Sequence, residues 1–120
     1  MTRPWGPQQE RFAVEGDYLV HYVTPTRGKP YVHRCEKASY ELLAHVAEEI
    51  GDEGFTLETL VEQADVPFSQ AAVALAFWKE RGILEPGHPR RNYPMSEDLH
   101  LDAMIEYHAL LEEGPDSGSG

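Results

Sequence analysis

Residues 55–92, FTLETLVEQADVPFSQAAVALAFWKERGILEPGHPRRN, constrain the fold more than any other stretch of the chain. Thr56 suits an N-cap, because its hydroxyl can accept from a free backbone N–H of the first turn. Leu57, Leu60, Val61 and Ala64 follow at i, i+3, i+4 and i+7, so a short amphipathic helix starts there. Asp65-Val66-Pro67 breaks it, since the residue before a proline is pushed out of the helical region. Ser69 is the expected cap of a second helix that runs to about Arg81. Gly82 supplies the left-handed position that ends a helix. Ile83-Leu84-Glu85 then reads as a short strand, turned by Pro86-Gly87, and His88-Pro89-Arg90-Arg91-Asn92 as a basic loop.

This order resembles the winged helix-turn-helix superfamily. The matching residues are Thr56-Leu57-Glu58 opening the first helix, Ala64-Asp65-Val66 at the turn, and Trp78-Lys79-Glu80-Arg81-Gly82-Ile83-Leu84-Glu85 passing from the second helix into the wing. The resemblance implies an α+β fold, a winged helix-turn-helix with an N-terminal β-hairpin and an added C-terminal helix. The expected organisation is a flexible arm over 1–10, one domain over 11–113 and a flexible tail over 114–120. Within the domain the hairpin is 12–35, the helix-turn-helix 56–82, the wing 83–93 and the last helix 96–113.

The second helix departs from the DNA-reading pattern. A recognition helix carries polar side chains that bond base edges in the major groove. With Ala71, Ala74, Leu75 and Trp78 buried, the outward positions are Phe68, Gln70, Ala72, Val73, Ala76 and Phe77, of which only Gln70 can read a base. A helix that is apolar all round is normally covered on both sides. Two coverings stay open, the rest of this chain or a partner. In the partner case Phe68, Gln70, Val73 and Phe77 are the contact residues.

Charge weighs on the same question. The chain of 120 residues carries a formal net charge of −11, which argues against general affinity for nucleic acid or anionic membranes. The charge is uneven: net +2 over 1–35, −8 over 36–66, +2 over 67–92 and −7 over 93–120. The second helix and the wing thus fall in a mildly basic segment, which keeps a DNA reading alive. Cys35 is the single cysteine, so no disulfide forms within the chain, and a reducing cytoplasm is the expected setting. The start of the chain shows no charged-then-apolar signal pattern, and the uncharged run Val66 to Trp78 is too short to span a bilayer. No membrane partner is expected.

Upstream, Trp5 is the one residue of the polar, proline-rich arm expected to pin it to the body. Tyr18 to Thr24 and Tyr31 to Cys35 read as paired strands, rich in aromatic and β-branched residues. The preferred register places Tyr18, Val20, Tyr22, Tyr31, His33 and Cys35 on one face and Leu19, His21, Val23, Val32 and Arg34 on the other. Glu36 to Ile50 is a helix with Leu42, Leu43, Val46, Ala47 and Ile50 as its apolar stripe and an acidic outer face. Ser96 is the expected cap of the last helix, which carries two apolar stripes. Leu101, Met104, Ile105, His108 and Leu111 form the first; Leu99, Ala103, Tyr107 and Leu110 form the second. That is more apolar surface than one small core needs, so a homodimer is expected.

Site chemistry is sparse. His33 and Cys35 share a strand face and His21 joins them only in the other register; His100, Met104 and His108 share a helix face. No Cys-x-x-Cys or His-x-x-x-His spacing occurs, so no metal and no cofactor is expected. Ser69, Cys35 and the histidines make no recognisable nucleophile–base motif, and no enzyme is expected. Two functions remain. The first is protein or peptide recognition. A hairpin followed by a winged-helix body is similar to the peptide-recognition elements of ribosomally made peptide pathways. The resemblance implies that a peptide adds a strand to the hairpin beside the last body helix, here Tyr18 to Thr24, Tyr31 to Cys35 and Ser69 to Trp78. The second is a DNA-binding regulator in which Gln70 reads a base edge while Lys79, Arg81, Arg90 and Arg91 hold phosphates.

Overall fold

The first sheet is one strand larger than the sequence suggests. In the computed structural model, which describes residues 9–88 and 90–114, strands β1 (Gln9–Glu15), β2 (Tyr18–Thr24) and β3 (Tyr31–Glu36) pair antiparallel in the order β1-β2-β3. Phe12-Ala13-Val14 is too short an apolar run to announce a strand alone, and it is buried here by pairing with β2. Gln9 and Glu10, expected in the arm, therefore belong to the sheet. The rest of the arm with Trp5, Pro89 of the wing loop and the tail from 115 onward lie outside the described residues.

The register also differs by one step from the expected one. Leu19 faces Cys35, His21 faces His33 and Val23 faces Tyr31. A one-residue slip moves every side chain of a strand to the other face. Leu19 and Cys35 are both fully buried in the core, so their burial together fixes this register against the alternative. Tyr31, His33 and Cys35 thus share the core-side face with Leu19, His21 and Val23, and Val32 and Arg34 lie on the outer face with Val20 and Tyr22.

Helices follow: α1 (Lys37–Ile50), α2 (Leu57–Ala64), α3 (Phe68–Glu80) and α4 (Leu99–Glu113), with a hairpin of β4 (Leu84–Pro86) and β5 (Asn92–Pro94) before α4. The fold is α+β, as expected. Thr56 caps α2, its hydroxyl oxygen accepting from the Thr59 N–H at 3.1 Å. Ser69 does not cap α3. The Pro67 carbonyl accepts from Gln70 and Ala71, so the helix begins two residues earlier, on the fixed φ of the proline. Gly82 takes φ +77 after α3, the left-handed turn expected of it. Ser96 lies outside α4: its hydroxyl accepts from Asp98 N–H and donates to Asp102, forming a local turn, and the helix starts at Leu99. Phe55 pairs across to Asn92, which ties the entry to α2 to the hairpin. Gly54 is needed beside it, since a Cβ there would lie 2.7 Å from the Tyr93 ring.

The core lies between the sheet and the helices. Tyr40 is fully buried in α1; it donates to the Ala103 carbonyl at 2.6 Å and accepts from the Trp78 indole N–H at 3.0 Å. One hydroxyl thus joins α1, α3 and α4. Leu99, Ala103, Tyr107 and Leu110 form the buried side of α4, against α1 and β1. Leu101, Ile105 and Leu111 stay exposed on its other side, with Leu42 exposed on α1. Among the described residues no helix is long and apolar enough to cross a membrane.

Candidate functional site

Three layers of packing leave one part of the sheet uncovered. Helix α3 lies on the sheet and packs most closely on β3. Near its start, Gln70 holds Glu36 at the end of β3. Near its end, Phe77 packs on Phe12 of β1 with ring centroids 5.2 Å apart. Trp78, on another side of the helix, meets Tyr40 of α1. The side turned away from α1 carries Phe68, Ala72 and Ala76, spaced four residues apart and so on one face, all at least partly exposed. Helix α3 packs more closely on β3 than on the other strands, yet Tyr31 and His33 are exposed although they lie on the core-side face. Strand β3 is an edge of the sheet, and Tyr31 to Arg34 are all exposed. An edge strand presents a row of backbone N–H and C=O groups that a further strand can bond.

Two clefts bound this region. One of about 460 Å³ lies at the Tyr31 end of the sheet, among Arg11, Tyr22, Val23, Pro30, Tyr31 and Val32. Another of about 430 Å³ opens between Glu10 of β1 and Ala76, Lys79 and Glu80 of α3. At the opposite end a more acidic cleft of about 480 Å³ is lined by Asp17, Tyr18, Glu36, Lys37 and Glu41.

The residues expected to meet a partner separate into two groups. Val73 and Phe77 are 1% and 0% exposed, so they are core residues of this chain. The expectation that they present an outward apolar face is corrected: the sheet covers that side of α3, and α1 and α2 cover the other. Phe68 is 55% exposed and remains available. Gln70 is half-buried and engaged: its carbonyl oxygen accepts from the Glu36 backbone N–H at 3.0 Å and its amide donates to the Glu36 carboxylate at 3.3 Å. The open edge Tyr31 to Arg34 was named in the sequence only as a hairpin strand. Its exposure depends on where α3 crosses, which no local pattern encodes.

The candidate phosphate contacts are also divided. Arg81 pairs with Glu80 at 3.0 Å and with Glu106 at 3.3 Å. Arg91 donates to the Glu53 and Gly54 carbonyls at 3.1 Å. Lys79 and Arg90 are exposed, and no ion pair holds either among the described residues. The base reader Gln70 is thus committed to β3, and two of the four candidate phosphate-holding cations are committed to the fold.

Reactive and metal-binding groups are dispersed. Burial pushes the Cys35 thiol up to about 12, with a smaller contribution from Glu36, so at neutral pH it is a protonated core side chain. The observed register does bring His21 opposite His33, but His21 bonds Glu10 at 2.6 Å and stacks on Phe12 at 4.3 Å. His45 and His100 stack at 3.8 Å between α1 and α4. Among the described residues no group of three or more His, Cys, Asp or Glu side chains is placed to hold a metal. Comparison with family models, curated proteins and solved structures finds no significant match to this chain.

Proposed function

We propose that this chain is a non-enzymatic recognition module of the winged-helix type that binds an extended peptide as a fourth strand on β3. The observation that carries the reading is the β3 edge, with Tyr31 to Arg34 exposed in succession on a strand that packs against α3. Backbone bonds to the edge supply affinity in strand addition, and alternate side chains of the peptide supply specificity. Here one set of alternate side chains would pack beside Tyr31, His33 and the small alanines of α3, which allow a backbone to come close. The winged-helix assignment is supported by element order: α1, the Phe55 bridge, α2, α3 and then the β4–β5 hairpin. The sheet before it and α4 after it are additions to that order.

The duplex-DNA alternative has the same element order in its favour but less chemistry. Gln70 would have to leave Glu36 to read a base, and Lys79 and Arg90 are the candidate cations without an ion pair. The net charge of −11 opposes it further.

The homodimer is carried forward as a proposal for the outer side of α4 and α1, where Leu42, Leu101, Ile105 and Leu111 are exposed. Acidic residues such as Glu49 and Glu112 flank these positions, so association between two copies should strengthen with salt. A mass by light scattering that stays monomeric from low to high salt contradicts it.

The test of the main reading is a selection of displayed random peptides on the full chain, followed by fluorescence anisotropy of those retained. Binding should be lost when backbone nitrogens of one parity in the peptide are methylated, and kept when those of the other parity are. Equal tolerance at both parities, or retention of duplex DNA instead of peptides, contradicts strand addition.

A further inference from the structure

We infer that the strand taken by β3 is acidic, with apolar residues on the side facing α3 and carboxylates at the intervening positions near the Tyr31 half of the edge. This rests on the strand-addition reading above and adds the charge of the ligand.

This acidic protein carries a local imbalance of charge beside β3. The whole chain is −11, yet the surroundings of β3 are not uniformly acidic. Arg34 projects from the outer face of β3, Lys29 precedes the strand in its loop, and Lys79 follows Ala76 on the exposed side of α3. All three are exposed, and none has an ion pair among the described residues. The acids nearest the same edge are already engaged. Glu36 accepts from Gln70, Glu10 is bonded to His21, and Glu80 is paired with Arg81. Among the charged side chains of this region these three cations are therefore the ones without a bonded partner, while Glu36, Glu10 and Glu80 keep their charge but already accept from neighbours.

Alternation sets which peptide positions meet these cations. Successive residues of an added strand point to opposite faces of the sheet. Residues on the core side meet Tyr31, His33 and the Phe68-Ala72-Ala76 side of α3, which favours apolar side chains. Residues on the outer side lie beside Val32 and Arg34, where a carboxylate is favoured. The sheet also has a direction. Asp17, Glu36 and Glu41 gather at the far end of β3, so carboxylates placed there are repelled.

The experiment uses the full chain and three labelled peptides of about eight residues, a little longer than a typical strand. They share the same alternating apolar residues and carry Glu, Gln or Lys at the intervening positions. The Glu peptide should bind most tightly and the Lys peptide least, with about a 2- to 5-fold change for each exposed charge contact. In the double variant Lys29→Glu with Arg34→Glu, the order of the Glu and Lys peptides should reverse. Equal affinity for all three peptides overturns the charge inference and leaves strand addition standing. An order that the double variant does not alter also overturns it, since the preference then arises elsewhere on the chain. Absence of binding by every peptide, with none retained in the random selection, overturns strand addition itself.

Discussion

The two edge strands of the three-stranded sheet belong to one hydrogen-bonded surface but meet opposite surroundings. Helix α4 packs against β1, and Phe12, Ala13 and Val14 are buried. Strand β3 has α3 packed on its core-side face, yet Tyr31, Val32, His33 and Arg34 are exposed in succession. Folded proteins usually cover, shorten or charge an edge to prevent unwanted pairing. This chain covers one edge and charges the other with Arg34. The difference separates residues whose contacts maintain the fold from residues that are free to make contacts with something else, and it divides α3 along its length.

A charge placed on each side of α3 in turn should separate the two surfaces most strongly. Phe77→Asp puts a carboxylate against Phe12 in the core, and should cost about 5 kcal/mol or more, enough to unfold a typical small domain. Phe68→Asp, about two and a half turns away on the exposed side, should change stability by less than about 0.5 kcal/mol while lowering peptide affinity. Denaturant melts of both variants check this. Equal destabilisation would mean the two sides of α3 do not differ as described.

A smaller effect tests what holds the covered side. Tyr40→Phe removes the hydroxyl that donates to the Ala103 carbonyl and accepts from Trp78. The Trp78 N–H is then buried without an acceptor, which should cost about 1–3 kcal/mol. Peptide binding at β3 should be unchanged, because the network lies on the far side of α3 from the open edge.

The alkaline limb of stability is a finer test of the same buried layer. Burial holds the Cys35 thiol at about 12 and raises the Tyr40 hydroxyl above its usual value, so the folded state keeps protons that the unfolded chain gives up. Their stabilising contribution is fully present below about pH 9, the ordinary value for a thiol, and is lost as pH rises toward 12. Each such group lowers stability by about 1.4 kcal/mol per pH unit within its window. Cys35→Ala should flatten the fall that begins near pH 9, and leave the steeper part above the ordinary tyrosine value. Urea melts across that pH range measure it.

Parts of this division were legible in the sequence, and the rest were not for identifiable reasons. Thr56 as a cap and Gly82 as a left-handed stop were readable because both act within one turn of chain. The turn before α3 was readable from Pro67, yet the proline itself took the role expected of Ser69. Strand β1 escaped notice because Phe12-Ala13-Val14 alone is too short to show a period, and only β2 makes it a strand. The register failed by one residue because alternation is nearly symmetrical in Tyr18 to Thr24, and burial of Leu19 with Cys35 decides between the two faces. The apolar character of α3 was plain, but periodicity cannot say which surface covers a helix. Spacing alone therefore turns Val73 and Phe77 outward and leaves Gln70 free, whereas its partner Glu36 lies 34 residues away. The open edge at Tyr31 to Arg34 depends on the same tertiary crossing, so it appeared in the sequence as a strand and not as a site.

Hydrogen exchange of the backbone amides, in the free chain and with a saturating selected peptide, reads the state of each sheet edge residue by residue. In the free chain the amides of β1 and β2 should exchange slowly, and the outward amides of β3 should exchange fast. Peptide should slow the outward β3 amides selectively and leave β1 unaffected. Outward β3 amides that are already as protected as those of β1, or that stay fast when peptide is bound, would contradict strand addition at this edge.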